Sequence, residues 1–237
     1  MATVINKQRQ LTQLLNLGKK APTPSVGARP VLEEFIYGLC REDATPEQAD
    51  RAYEFLQERF FDWNEIRVSS VRELEEAFEG LPHAEARAQR IIAFLQEVFE
   101  TSYSYELDSL LKKGLKLAAK QLARYQAHNE YVGAWVVQRS LGGHAIPLDA
   151  VTVRCVSRLG LVDADDTNEN IRSTLEHLVP KAKGAVFTDA VSRIAESHCH
   201  EESPNCGRCP LGSDCPTAQE ARSGNGVARP AHRPKPR

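Results

Sequence analysis

CHEESPNCGRCPLGSDC, residues 199–215, gathers four cysteines into 17 residues with the spacing C-x6-C-x2-C-x5-C. Cys206 and Cys209 flank Gly207-Arg208, a tight turn stiffened on either side by Pro204 and Pro210. Close thiolate pairs let one short loop reach several corners of a single metal site. Four thiolates suit either a [4Fe–4S] cluster or tetrahedral zinc. Zinc sites more often use two C-x2-C knuckles joined by a longer loop. One knuckle with a single cysteine on each side favours the cluster, on Cys199, Cys206, Cys209 and Cys215. His198 and His200 flank the first cysteine, but four cysteines already fill the site. Cys40 and Cys155 stand alone in the sequence.

Working outward, the chain has 237 residues, 41% apolar and 26% charged, which is ordinary for a globular protein with a sizeable core. The longest apolar runs, such as VGAWVV at 132–137, are too short to span a bilayer. The first twenty residues hold no apolar block of signal-peptide type. The expectation is a cytoplasmic protein, nucleoid-associated if bacterial, with no membrane partner. In such a compartment clustered cysteines point to metal rather than disulfides.

The net charge is −2, yet residues 31–110 carry 19 acids against 7 arginines and no lysine. The remainder is correspondingly basic. Residues 111–124, LKKGLKLAAKQLAR, have five basic residues and no acid, as do residues 221–237. This asymmetry is compatible with one face meeting phosphates, and equally with a solvated helix face and a disordered tail.

Helical periodicity runs through almost the whole chain, with no convincing strand and no internal repeat, so the fold class is all-α. VINKQRQLTQLLNLG is a short helix ended by Gly18, followed by a linker, KKAPTPSVGARP. TPEQADRAYEFLQERFF opens on Thr45 as N-cap with Pro46 at the first helical position. SVRELEEAFEGL starts on a Ser N-cap and stops at Gly80. YELDSLLKKGLKLAAKQLARY reads as one further helix. LDAVTVRCVSRLGL has Asp149 where an N-cap belongs and Gly160 where a C′ glycine belongs. AVFTDAVSRIAES leads into the first cluster cysteine.

The cysteine loop resembles the iron–sulfur loop of the endonuclease III and adenine glycosylase family, which closes the C-terminus of a helix-hairpin-helix DNA glycosylase. SLGGHAIPLDAVTVRCVSRLGL is similar to the family stretch in which an Asp opens a helix bearing R-x3-R, and EGLPHAEARAQRIIAFLQE resembles a further family helix. The resemblance covers roughly residues 31–216. It implies a two-domain fold: a six-helix barrel over 31–143 with a divergent hairpin, an iron–sulfur domain formed by 1–30 with 144–218, and a disordered basic tail over 219–237. It implies a [4Fe–4S] cofactor and double-stranded DNA with a damaged or mismatched base as partner, bound by a monomer in the cleft between the domains. It also implies that Asp149 is the catalytic aspartate, with Arg154 and Arg158 on the helix behind it. A carboxylate near C1′ stabilises the positive charge that builds on the sugar as the N-glycosidic bond breaks. Judged by its immediate neighbours alone, Asp149 is simply an N-cap.

The sequence departs from the family at its hairpin. Where relatives read L-P-G-[VI]-G-x-[KS]-T-A, this chain has YQAHNEYVG at 125–133, so the two glycine positions hold Ala127 and Asn129. Tyr131 occupies the Schiff-base lysine position. A phenol forms no imine, so the expectation is a monofunctional glycosylase with Asp149 and Tyr131 at the catalytic positions and no lysine-dependent lyase step. The alternative is a catalytically inactive, cluster-bearing DNA-binding paralogue. Glu42 aligns with the family's intercalating Gln, and the loop HEESPN is acidic where relatives are often basic. Phosphate contacts are therefore expected from Lys112, Lys116, Lys120, Arg124, Asn129 and Arg208.

Overall fold

The computed structural model describes residues 2–19 and 29–222. Helices α1 (Ala2–Gly18), α2 (Val31–Arg41), α3 (Pro46–Arg59), α4 (Trp63–Val68), α5 (Val71–Glu75), α6 (Ala84–Ser102), α7 (Leu115–Leu122), α8 (Glu130–Arg139), α9 (Ala150–Arg158), α10 (Asn168–Leu178), α11 (Gly184–Ser197) and α12 (Pro216–Arg222) follow in order. Among the described residues there is no strand, and no helix is long and apolar enough to cross a membrane. The all-α expectation holds. The linker over 20–28 and the tail from 223 onward lie outside the described residues, while residues 219–222, expected to belong to a disordered tail, form the end of α12.

The chain divides into two compact units. One joins α1 to everything from Leu148 onward, and the other ends at Pro147. In the second unit α2 is the central element. Its residues Val31, Leu32, Phe35, Ile36, Leu39 and Cys40 are all buried against α3, α6 and α8. Phe35 stacks on Phe94 of α6 with centroids 3.9 Å apart, and Tyr125 meets both rings edge-on. Each fully buried Phe contributes roughly 2–3 kcal/mol of transfer free energy. Gly38 lets α8 approach closely, because a Cβ there would lie 3.2 Å from the Trp135 ring.

Local chemistry sets the helix ends. Thr45 accepts from the Gln48 N–H while the Gln48 side chain returns to the Thr45 N–H, a full capping box, with Pro46 as the first helical residue. Ser70 and Glu73 make the same box at α5. Asp149 caps α9, and Gly160 follows that helix with φ +71°. Two expected helices are shorter than their periodicity implied. After Glu75 the backbone tightens into a 3-10 turn, Glu76–Phe78, that buries Phe78. The helix read through 105–125 breaks at Gly114 into a 3-10 segment, Asp108–Lys112, and α7, consistent with the poor helix propensity of glycine.

One buried carboxyl leaves a pH signature. Glu34, on α2, accepts from Trp135 Nε1 at 2.7 Å and lies 3.8 Å from Arg29. Burial is the dominant influence and holds its pKa above the ordinary 4.5, against the Trp135 hydrogen bond and the Arg29 and Arg139 charges. A carboxyl raised in the folded state binds its proton more tightly there than in the unfolded chain. Folding stability attributable to it therefore falls as pH rises through 4.5 toward the raised value. Glu34→Gln, which retains an acceptor for Trp135, is expected to remove that decline in urea melts collected from pH 4 to 7. An unchanged pH profile in the variant would refute this.

Candidate functional site

In the unit containing α1 and α9–α12, the loop between α11 and α12 carries the four cysteines around one recess. Cys199, Cys206, Cys209 and Cys215 all line it, together with Cys155, Leu159 and Ile194. Among the described residues, no three His, Cys, Asp or Glu side chains are grouped as a single-ion site would require. A tetrahedral zinc needs its sulfurs about 2.3 Å from one point. Four thiols lining one recess are the donor set that a [4Fe–4S] cluster would use.

Backbone geometry supports the same chemistry. Leu211 and Gly212 direct N–H groups at the Cys209 sulfur, and Thr217 and Ala218 direct theirs at Cys215, just before the first turn of α12. A Cβ on Gly212 would strike the Cys206 carbonyl at 2.7 Å, so only glycine lets the chain fold back over the knuckle. The Cys199 thiol is drawn down to about 6, first by a hydrogen bond with Cys155, then by the hydrogen bond and charge of Arg158 and the charge of Arg154. Burial, the largest influence on each, holds Cys209 and Cys215 above their ordinary values. Thiolates are the metal-binding form, so a bound cation would displace these protons.

Helix α9 grips the loop. Arg154 Nε donates to the Cys199 carbonyl at 3.1 Å, and its guanidinium lies 4.0 Å from the Glu201 carboxylate. One turn on, Arg158 donates to the His200 and Glu201 carbonyls at 2.5 and 2.7 Å and reaches the Cys199 sulfur at 3.7 Å. The Arg158 carbonyl in turn accepts from Cys215 Sγ and Thr217 Oγ1. The acidic loop HEESPN is thus held by its carbonyls, with Glu201 facing Arg154. From the other side, α1 holds Asp214: Gln10 Nε2 donates to its carbonyl at 2.6 Å, and Gln13 and Arg9 reach its carboxylate at 2.7 and 3.2 Å. Gly18 is the last residue of α1, and a Cβ there would meet Val186 of α11 at 2.7 Å.

The sequence left Cys155 standing alone; the fold places it in this recess, fully buried. The separation along the chain hid it. The packing of α9 against α11 brings it beneath the loop. His198 also lines the recess.

At the head of α9, Asp149 is 8% exposed and accepts from the Thr152 N–H at 2.7 Å. The structure therefore bears out the N-cap reading.

Tyr131 and Asn129 lie in the other unit, Asn129 as the N-cap of α8 and Tyr131 in its first turn. Tyr131 is 4% exposed, its ring stacked near Trp135 and its hydroxyl donating to the Arg41 carbonyl at 3.3 Å. Asn129 caps α8, accepting from the Val132 N–H, and donates to Glu42 at 2.6 Å. Its φ is −139°, and no residue of the 123–129 turn has positive φ. The glycine turn of relatives is replaced by an ordinary one pinned by side chains. The Glu97 carboxylate accepts the Gln126 N–H at 3.1 Å, and Arg90 donates to the Ala127 carbonyl at 2.8 Å while pairing with Glu42 at 2.7 Å. Glu42 is thus tied to Arg90 and Asn129. Lys112, Lys116, Lys120 and Arg124 are exposed on the approach to this turn, and Arg208 is exposed within the knuckle.

With this geometry in view, comparison with known proteins gives one direction. No family model matches the chain. Endonuclease III of Synechocystis sp. is 25% identical over 215 residues, spanning 90% of this chain and 94% of that protein. Endonuclease III of Bacillus subtilis is 33% identical over 85 residues, 36% of this chain and 39% of that one. A non-covalent endonuclease III–DNA complex superposes with a TM-score of 0.71 at 20% identity, covering 92% of this chain and 98% of that one. The chain is similar in sequence to endonuclease III and shares its fold. A thermostable thymine-DNA glycosylase shares the endonuclease III-like fold at TM-score 0.67 and 17% identity, covering 93% of this chain and all of that one.

Proposed function

We propose that the chain is a base-excision repair protein of the endonuclease III type. In this reading it is a monofunctional DNA N-glycosylase that carries a [4Fe–4S] cluster on Cys199, Cys206, Cys209 and Cys215. The observation that carries the proposal is Asp149 at the head of α9, in the endonuclease III fold, on the same helix whose arginines hold the cysteine loop. A duplex with a damaged or mismatched base gives up that nucleotide at least cost, a few kcal/mol of unstacking. Asp149 then stabilises the cationic sugar and orients an attacking water. Tyr131 contributes no nucleophile, since a phenol cannot form an imine and its hydroxyl is engaged by the Arg41 carbonyl. When bound, the cluster supplies a rigid tie for residues 199–215 and a one-electron couple. Arg154, Arg158 and the α1 side chains hold the loop in register for it.

Lys112, Lys116, Lys120, Arg124 and Arg208 are the phosphate contacts in this reading, acting through charge and not through the hairpin amides. Asn129 would contribute by holding Glu42 and the turn. Lys116→Ala combined with Lys120→Ala is expected to weaken binding to duplex DNA at low salt and to reduce the slope of log K against log salt by about 2. An unaltered slope would remove these lysines from the interface.

A second reading, a catalytically silent DNA-binding relative, is favoured by one observation. Glu97 occupies the Gln126 N–H in the turn where relatives offer amides to a phosphate. Excision assays over a panel of damaged and mismatched duplexes, on protein whose iron and sulfide have been measured, separate the readings. Base release from any of them, leaving an abasic site and no strand break, supports the glycosylase. Tight binding to an abasic-site analogue without release supports the silent relative.

A further inference from the structure

Where the end of α6 meets α4, a cluster of aromatic side chains reaches the surface. Phe99, in the last turn of α6, stacks on Tyr105 with centroids 5.7 Å apart and meets Tyr103 edge-on at 5.8 Å. The Arg67 guanidinium, from α4, lies 4.5 Å from the Phe99 ring centre. Its nitrogens donate to the Tyr105 hydroxyl at 2.9 Å, Gln96 Oε1 at 2.7 Å and Asn64 Oδ1 at 2.8 Å. Tyr103 is 80% exposed. Val68, the last residue of α4, is 64% exposed, and Phe61, just ahead of the Asp62 cap of that helix, is 95% exposed. Tyr103 closes α6 at φ +53°, in the left-handed region. Glycine is the usual residue at such a helix end, so a bulky ring is held there against local preference. Apolar side chains grouped on a surface mark interaction sites, whereas singly scattered ones do not.

Charge limits what can cover this face. Residues 97–106 hold three acids, Glu97, Glu100 and Glu106, and no Lys or Arg. Residues 58–67 hold Glu58, Asp62 and Glu65 against Arg59 and Arg67. Glu58, Asp62, Glu65, Glu100 and Glu106 are exposed, while Arg67 is engaged within the cluster. Such a rim repels phosphates, and with them nucleic acid and anionic membrane surfaces. It attracts Lys and Arg. Aromatic faces also take cations, as Phe99 already takes Arg67. We propose that Phe61, Val68, Phe99 and Tyr103 form a docking surface for a protein partner whose contacting segment sets Lys or Arg beside apolar side chains. Tyr103 is the anchor, a rigid ring of the kind that carries much of the binding energy at interfaces. The surface uses none of the DNA-binding residues proposed above and does not depend on that reading.

The test selects short random-sequence peptides displayed on phage against the full-length protein, with the double variant Phe61→Ser, Tyr103→Ser as counter-target. Both positions are exposed, so the variant is expected to keep the wild-type circular dichroism and melting curve. The selected peptides are expected to be basic with interspersed apolar residues. Synthesised and titrated by fluorescence anisotropy, they are expected to lose on the order of tenfold in affinity against the double variant. A similar loss is expected against Glu100→Lys, Glu106→Lys, which keeps the rings and reverses the rim. Leu117→Ser, an exposed apolar residue on α7, is expected to change nothing. A selection that yields no peptide able to distinguish wild type from the double variant overturns the proposal. So do selected peptides that are neutral or acidic. Self-association of the wild type that the double variant abolishes would give the face to a second copy of the chain and also overturn it. Weaker binding of double-stranded DNA by the folded double variant would give it to nucleic acid, with the same result.

Discussion

Asp149→Asn is expected to lower the rate of base release by on the order of a thousandfold while leaving the fold intact. The two roles of this residue separate cleanly in this substitution. As an N-cap, Asp149 uses Oδ1 to accept the Thr152 N–H at 2.7 Å. Asn offers the same acceptor and is as good a cap. What it loses is the negative charge, which costs the helix N-terminus only about 0.3–1 kcal/mol. The transition state loses far more, because a cationic sugar in a water-poor site depends on a fixed anion. Asp149→Ala is expected to lose both, with about 1 kcal/mol less stability and the same catalytic defect. Single-turnover excision on a substrate the wild type cleaves, read beside thermal melts, distinguishes these outcomes. Full activity in Asp149→Asn would remove the catalytic assignment and leave the N-cap as the whole account.

Cys209→Ala is expected to abolish iron and sulfide binding and to unfold the cysteine loop with the helices that brace it. The binding free energy of a structural metal site is on the order of 10 kcal/mol, comparable to the stability of an entire domain. The local architecture offers little to replace it. Residues 199–215 hold no regular helix or strand, and six of the thirteen residues lining the recess belong to the loop. Without a metal, Arg154 and Arg158 still hold three carbonyls, but the knuckle at Cys206–Cys209 loses its anchor. Cys40→Ala is the control: Cys40 is buried in the unit ending at Pro147 and is expected to leave iron content unchanged. Both tryptophans, Trp63 and Trp135, lie in that same unit. Tryptophan fluorescence should therefore stay near native in Cys209→Ala while helix content falls. Stoichiometric iron in Cys209→Ala would refute the four-cysteine assignment.

The part of the fold that could be read directly was the part written in short-range chemistry. Thr45, Ser70 and Asp149 cap helices because a side-chain oxygen three residues from an orphan N–H finds it whatever the rest of the chain does. Gly160 ends α9 because positive φ suits glycine. The cysteine loop was legible for the same reason, its four thiols lying within one short segment. Periodicity was less reliable where a glycine interrupted it, as at Gly114.

The sequence by itself determined the all-α class, the helix caps and the four-thiol loop, since each depends on contacts within a few residues. Only the tertiary structure decided which distant groups complete the sites. It brought Arg154 and Arg158 onto Cys199 and Cys155 into the same recess across more than forty residues, tied Asp214 to α1, and set Glu97 against the Gln126 N–H. Such partners are selected by the packing of whole helices, and helix packing depends on the shapes of both surfaces at once. No local pattern around residue 155 announces the loop that closes over it.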